Sequence, residues 1–216
     1  MSQTAAKSAA PGYRAIADAI SARRSIRSYL AAPVPDDLIE ALLGVAITAP
    51  SAHNRQPWRF RVLRSDKEKI ALAIAMGAQL RHDRAADGDA AQLIDDDASR
   101  SYARITSAPA IIVMCLSLED MDRYPDARRN QAEYLMAVQS VAMAGQNFLL
   151  AAAAAGLGAC WVCAPLFCPK IVSAALELPG VWQPQGMITL GYPANAGKPF
   201  KRHPIGRLCL SGPQET

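Results

Sequence analysis

Two basic groups stand far apart in this chain of 216 residues. Arg23-Arg24-Ser25-Ile26-Arg27-Ser28-Tyr29 sets three guanidiniums within five positions, and its alternation marks an extended segment whose Arg23, Ser25 and Arg27 share one face. Guanidinium forks beside a hydroxyl clasp anionic groups, although such a cluster also serves as plain solvated surface. Lys198, Lys201, Arg202 and His203 form the second group, and the two together suit a single phosphate. Between them, Pro50-Ser51-Ala52-His53-Asn54-Arg55-Gln56-Pro57 is a polar turn closed by proline at both ends. A turn so placed before a strand is either a connection or a collar for a ligand.

The familiar catalytic signatures are missing. No Gly-x-Gly-x-x-Gly follows a strand, no Walker loop occurs, and Gly156-Leu157-Gly158-Ala159 alone is weak. There is no Gly-x-Ser-x-Gly elbow and no His-Glu-x-x-His pair, and three histidines make no convincing triad. Cys160-Trp161-Val162-Cys163 has redox or metal spacing, but residues three apart on a strand point to opposite faces, and no second pair completes four ligands. Buried, inert cysteines and no metal centre are expected. By exclusion, the chemistry falls to a bound anionic cofactor.

The elements that must hold these residues follow from pattern. Hydrophobic residues make up 51% of the chain, enough for one domain with a real core. The net charge of +4 comes without a basic run interleaved with aromatics, so no nucleic-acid partner is expected. Residues 1–12 are small and polar with no apolar core, which predicts a disordered N-terminus, no signal peptide and a cytoplasmic protein. An odd count of five cysteines argues against a disulfide framework.

Helices are expected over 13–21, from Pro35 to about Thr48 with Asp36 as cap, over 66–76 and over 169–176. Strands are expected at Trp58–Leu63, Ala110–Leu116, 159–163 and 186–190. The charged stretch 77–104 suggests a lid or excursion over a cleft. Everything is arranged around a long apolar helix over 131–155, stopped by Gly156 and Gly158. It would span roughly 38 Å, against a radius of gyration of about 17 Å, and its apolar residues fall on most sides. A second subunit would cover it, so a homodimer is expected. Gln139, Ser140, Gln146 and Asn147 interrupt the run and argue against a membrane span.

From Arg23 to Leu208 the chain resembles the flavin-dependent nitroreductase superfamily. The matching pieces are the Arg23–Tyr29 segment, Ala49-Pro50-Ser51-Ala52-His53-Asn54-Arg55-Gln56-Pro57-Trp58, the long helix with Gly156-Leu157-Gly158-Ala159-Cys160-Trp161, Leu178-Pro179 to Gly191-Tyr192-Pro193, and Arg202-His203-Pro204. The resemblance implies an α+β fold, a three-layer α/β/α arrangement with a central, mostly antiparallel sheet and a long dimer-interface helix. It implies FMN at the subunit boundary of a homodimer and hydride transfer from NAD(P)H or another reductant to a small-molecule acceptor.

Carried onto this sequence, Arg23 and Arg202 resemble phosphate ligands, with Arg24 and Ser25 at phosphate and ribityl. Arg27 takes the place of the cation beside the flavin edge that gains negative charge on reduction. Pro50, Ser51, Ala52 and His53 would cover the ring from the partner subunit, with Arg27 and His53 as modulators. Pro165 and Leu166 match a loop that offers an N–H to the flavin; proline has none, which leaves Leu166. Phe200 stands where the family often has lysine, with Lys201 adjacent. Tyr124-Pro125-Asp126-Ala127, Cys160-Trp161-Val162 and Leu178–Pro184 resemble the nitroreductase-like domain of the deazaflavin-coenzyme maturation enzyme. The alternatives are a non-catalytic flavin-binding dimer and the flavin-fragmenting enzyme that forms dimethylbenzimidazole; the latter tends to carry aspartate at the Ser25 position and serine at the Cys163 position.

Overall fold

The computed structural model describes residues 11–209. Its centre is a four-stranded antiparallel sheet of order β1-β2-β4-β3, built from β1 (Trp58–Leu63), β2 (Ala110–Leu116), β3 (Gly158–Val162) and β4 (Gln183–Gly191). All of β2 is buried, and its side chains alternate between two cores. Ile112, Met114 and Leu116 face one side with α2 (Asp36–Ala46) and α5 (Ala127–Ala154). Ile111, Val113 and Cys115 face the other with α3 (Asp66–Ala86), α4 (Ala91–Thr106) and α6 (Pro169–Ala175). The fold is therefore the expected α+β, three-layer arrangement. A further helix, α1 (Pro11–Ala22), reaches the C-terminal end of α5.

Helix α5 starts earlier than the pattern suggested, at Ala127, because Asp126 caps it: its carboxylate accepts from the Arg129 N–H at 2.8 Å. Ala137, Val141, Ala144 and Phe148 are wholly buried against the sheet. The helix is long and apolar enough to cross a bilayer, but this buried face marks it as a core element. It is not buried all round. Leu135, 50% exposed, and Met143, 39% exposed, lie with Gln139, Ala142 and Gln146 along one bare stripe.

Several expectations need correction. Residues 77–104 form the second half of α3 and most of α4, an antiparallel pair tied by Arg81–Asp95 (3.2 Å), Arg84–Asp89 (2.6 Å) and Arg84–Asp97. Asp36 is the first helical residue rather than the cap; the cap position is Pro35, and Asp36 pairs with Arg64 at 2.8 Å. Pro11 and Gly12 belong to α1, while residues 1–10 of the expected disordered N-terminus lie outside the described residues. Of the five cysteines, Cys163 and Cys209 are exposed.

Candidate functional site

The first arginine segment is held from both sides. The Ile26 N–H donates to the Ala159 carbonyl of β3 at 3.1 Å, and Ser25 bridges to the same residue. On the other side Leu30 N–H donates to the Tyr192 carbonyl at 2.9 Å and Ala194 N–H to the Ser28 carbonyl at 3.0 Å. Glycines permit this closeness: a Cβ at Gly158 would sit 2.6 Å from Ile26, and one at Gly197, whose φ is +75°, would sit 2.8 Å from the same side chain. The Tyr29 hydroxyl pins the segment to β4, 2.6 Å from the Ile26 carbonyl and 2.7 Å from Thr189 Oγ1. Burial pushes the Tyr29 phenol up to about 12, so it stays neutral.

Because the tail after β4 doubles back over this segment, the two basic groups meet. The guanidinium carbons of Arg24 and Arg202 stand 4.4 Å and 4.0 Å from the centre of the Phe200 ring. Arg24 Nη1 also reaches the carbonyls of Ser21 (2.6 Å), Ala22 (3.0 Å) and Arg23 (3.0 Å), closing the C-terminal end of α1. Arg23 and Arg24 line a cavity of about 290 Å³ with Leu149, Ala153, Gly156 and Asn195. Ser25 and Arg27 are exposed beside it, and no hydrogen bond or ion pair engages the Arg27 side chain among the described residues. Lys201 is exposed on the same tail. A cavity walled by Arg23 and Arg24, with Arg202 held on the same Phe200 ring as Arg24, has the chemistry to take a phosphate monoester.

The other expected residues lie elsewhere in the chain. Ala52 N–H reaches Ser140 Oγ at 3.4 Å, which seats Pro50, Ser51, Ala52 and His53 at the middle of α5. The cavity lies at Ala153 and Ala154. From Ser140 to Ala154 the helix rises about 21 Å, so collar and arginines of one chain are well apart. Pro165 and Leu166 form a 3₁₀ turn after β3, with Pro165 buried and Leu166 exposed. Leu166 N–H already donates to the Cys163 carbonyl at 2.9 Å, so the expected flavin donor is engaged within its own turn.

Trp161 sets the wall between α5 and β4. A Cβ at Gly145 would lie 2.3 Å from its ring and one at Gly186 2.7 Å, so both glycines make room for the indole. Its Nε1–H donates to Cys163 Sγ at 3.2 Å, which gives the second cysteine of the Cys-x-x-Cys run a partner other than Cys160. Phe200 and Asn195 were absent from the sequence expectation for site residues. An aromatic flanked by basic residues in the tail was the available signal.

Residues 20–192 match the nitroreductase family, and the chain belongs to it. It is 30% identical over 214 residues to an NADH dehydrogenase of Thermus thermophilus, covering 87% of this chain and 91% of that protein. It is 29% identical over 211 residues to a 5,6-dimethylbenzimidazole synthase of Rhodospirillum rubrum, covering 92% and 89%. A putative nitroreductase from Desulfovibrio desulfuricans, solved in complex with FMN, superposes with a TM-score of 0.70 at 28% identity and covers 96% of this chain and 99% of its own. The protein is a flavin-dependent oxidoreductase of that family.

Proposed function

We propose that the protein works as a cytoplasmic homodimer that binds FMN at each subunit boundary and carries hydride from NAD(P)H to a nitroaromatic, quinone or dehydro-deazaflavin acceptor. The observation that carries this reading is the meeting of Arg24 and Arg202 on the Phe200 ring beside the Arg23 cavity. FMN, when bound, supplies the two-electron chemistry. Arg23 and Arg202 hold the phosphate, and Ser25 donates to the ribityl chain. Arg27, exposed and unengaged, places a fixed positive charge where negative charge develops. Arg24 acts mainly as a brace, since it closes α1 while it stacks on Phe200.

The bare stripe of α5 is the proposed seam. A second copy packed along it would bring Pro50, Ser51, Ala52 and His53 towards the first copy's arginines, a meeting that the roughly 21 Å of helix from Ser140 to Ala154 denies to one chain. NAD(P)H oxidation with a nitroarene, a quinone and a dehydro-deazaflavin precursor, each measured in parallel, tests the reading. Turnover with at least one acceptor that stops when FMN is removed is expected, and flavin-loaded protein inert towards all three contradicts it.

The likeness to a dimethylbenzimidazole synthase favours a second reading, fragmentation of reduced flavin. Ser25 and Cys163 stand where that branch tends to have aspartate and serine, which ranks it second. Mass spectrometry of reduced FMN incubated with the protein in air separates the two by the presence of dimethylbenzimidazole.

A further inference from the structure

Glu133 lies in the second turn of α5 and is 4% exposed, yet its Oε2 has no hydrogen-bond partner. A carboxylate taken out of water without a partner is costly, so such a group points to something that neutralises it. Two other ligating side chains meet it there. His53 comes from the collar and Asp122 from the loop before α5, and one ligand atom from each of the three residues lies within 4.8 Å of the others. Asp122 Oδ1 also accepts from Arg55 Nη2 at 2.6 Å, a hydrogen bond of the kind that orients ligating carboxylates.

We propose that His53, Asp122 and Glu133 bind one divalent transition-metal ion, with zinc as the best fit, and that the ion ties the collar to α5. One imidazole nitrogen and two carboxylate oxygens form a mixed donor set that suits zinc or its first-row neighbours better than calcium or magnesium, which take oxygen alone. Ligands about 2.1 Å from a tetrahedral ion stand about 3.4 Å apart, so side-chain adjustments on the order of 1 Å close the site. Three protein ligands leave the fourth position to water. The ion would balance the buried charge of Glu133 and fix His53, whose φ of 50° belongs to an exposed loop, onto the helix. The expectation of no metal from sequence missed this cluster because its three members are scattered over 81 positions, from His53 to Glu133, and match no ligand spacing.

The test uses the full chain, stripped with chelator and dialysed against zinc chloride, then against magnesium chloride, with bound metal measured by atomic absorption. One zinc per chain is expected, with Glu133→Gln and Asp122→Asn each weakening it at least about tenfold. Zinc should raise the melting temperature of the wild type and leave Glu133→Gln unmoved. Without metal, Glu133→Gln should melt at or above the wild type, since it removes a lone buried charge; melting below it would mean that the carboxylate already has a protein partner and would overturn the proposal. So would equal affinity for magnesium, no zinc uptake, or uptake unchanged in Glu133→Gln, which would place the metal on thiols such as the exposed Cys163 and Cys209. Flavin absorbance recorded on the same samples keeps failure of this proposal distinct from failure of the FMN reading.

Discussion

Phe200 stands where the resemblance led one to expect a lysine, and it holds two guanidiniums at 4.4 Å and 4.0 Å from its ring. An aromatic ring there attracts both cations without adding the third positive charge that a lysine would bring. Arg23 and Arg202 were picked out by family resemblance, since a cluster of guanidiniums serves equally well as solvated surface, and the sequence does not show that the tail brings Arg202 beside Arg24 on Phe200. The bracing role of Arg24 could not be read from sequence, since a side chain that closes a helix end leaves no periodic trace. Glu133 was hidden for a different reason: it sits at the edge of an apolar helix and looks like ordinary solvated charge. The slot for Trp161 gives a direct test at this scale. Gly186→Ala puts a Cβ 2.7 Å from the indole and is expected to destabilise the fold by roughly 1–3 kcal/mol, read as a lowered denaturant midpoint with unchanged slope.

At the scale of elements, β1 and β2 match their expected ranges, Trp58–Leu63 and Ala110–Leu116, because each is a run of strand formers entered directly from a proline. Strand β4 begins three residues earlier than expected, at Gln183 rather than 186, and takes in Pro184. The proline is accommodated where the register to β2 shifts between Met114 and Cys115. Helix α3 runs ten residues past the expected 76, because Arg81-His82-Asp83-Arg84 looks like loop until Asp95 and Asp97 of α4 supply its partners. The cap of α5 predicts a pH effect. The Arg129 backbone N–H, and then its side chain, hold the Asp126 carboxyl below its ordinary value of 3.8. Its folded value is therefore the lower one, so its stabilisation is complete above the unfolded value near 4 and is lost as pH falls through the folded value. Asp126→Asn keeps a capping side chain without the charge. Its melting temperature should fall below that of the wild type at pH 6, and the gap should narrow as the pH falls below about 4.

At the scale of the molecule, one chain leaves bare the stripe of α5 that carries Leu135 and Met143. Light scattering in dilute solution should give twice the mass of a chain, and Met143→Glu should shift the population towards monomer, with flavin affinity falling in step. The alanine-rich rod and its glycine stop made the long helix legible from sequence, whereas the sidedness of its burial depended on how the sheet packs against it. The most direct test of the whole account is a titration of apoprotein with FMN, followed by the quenching of flavin fluorescence, for the wild type, Arg23→Ala and Arg202→Ala. One FMN per chain is expected in the wild type, with affinity at least about tenfold weaker in each variant, equal to the loss of about 1.4 kcal/mol from one charge-assisted contact. Wild-type affinity retained in both variants would contradict the proposed FMN site.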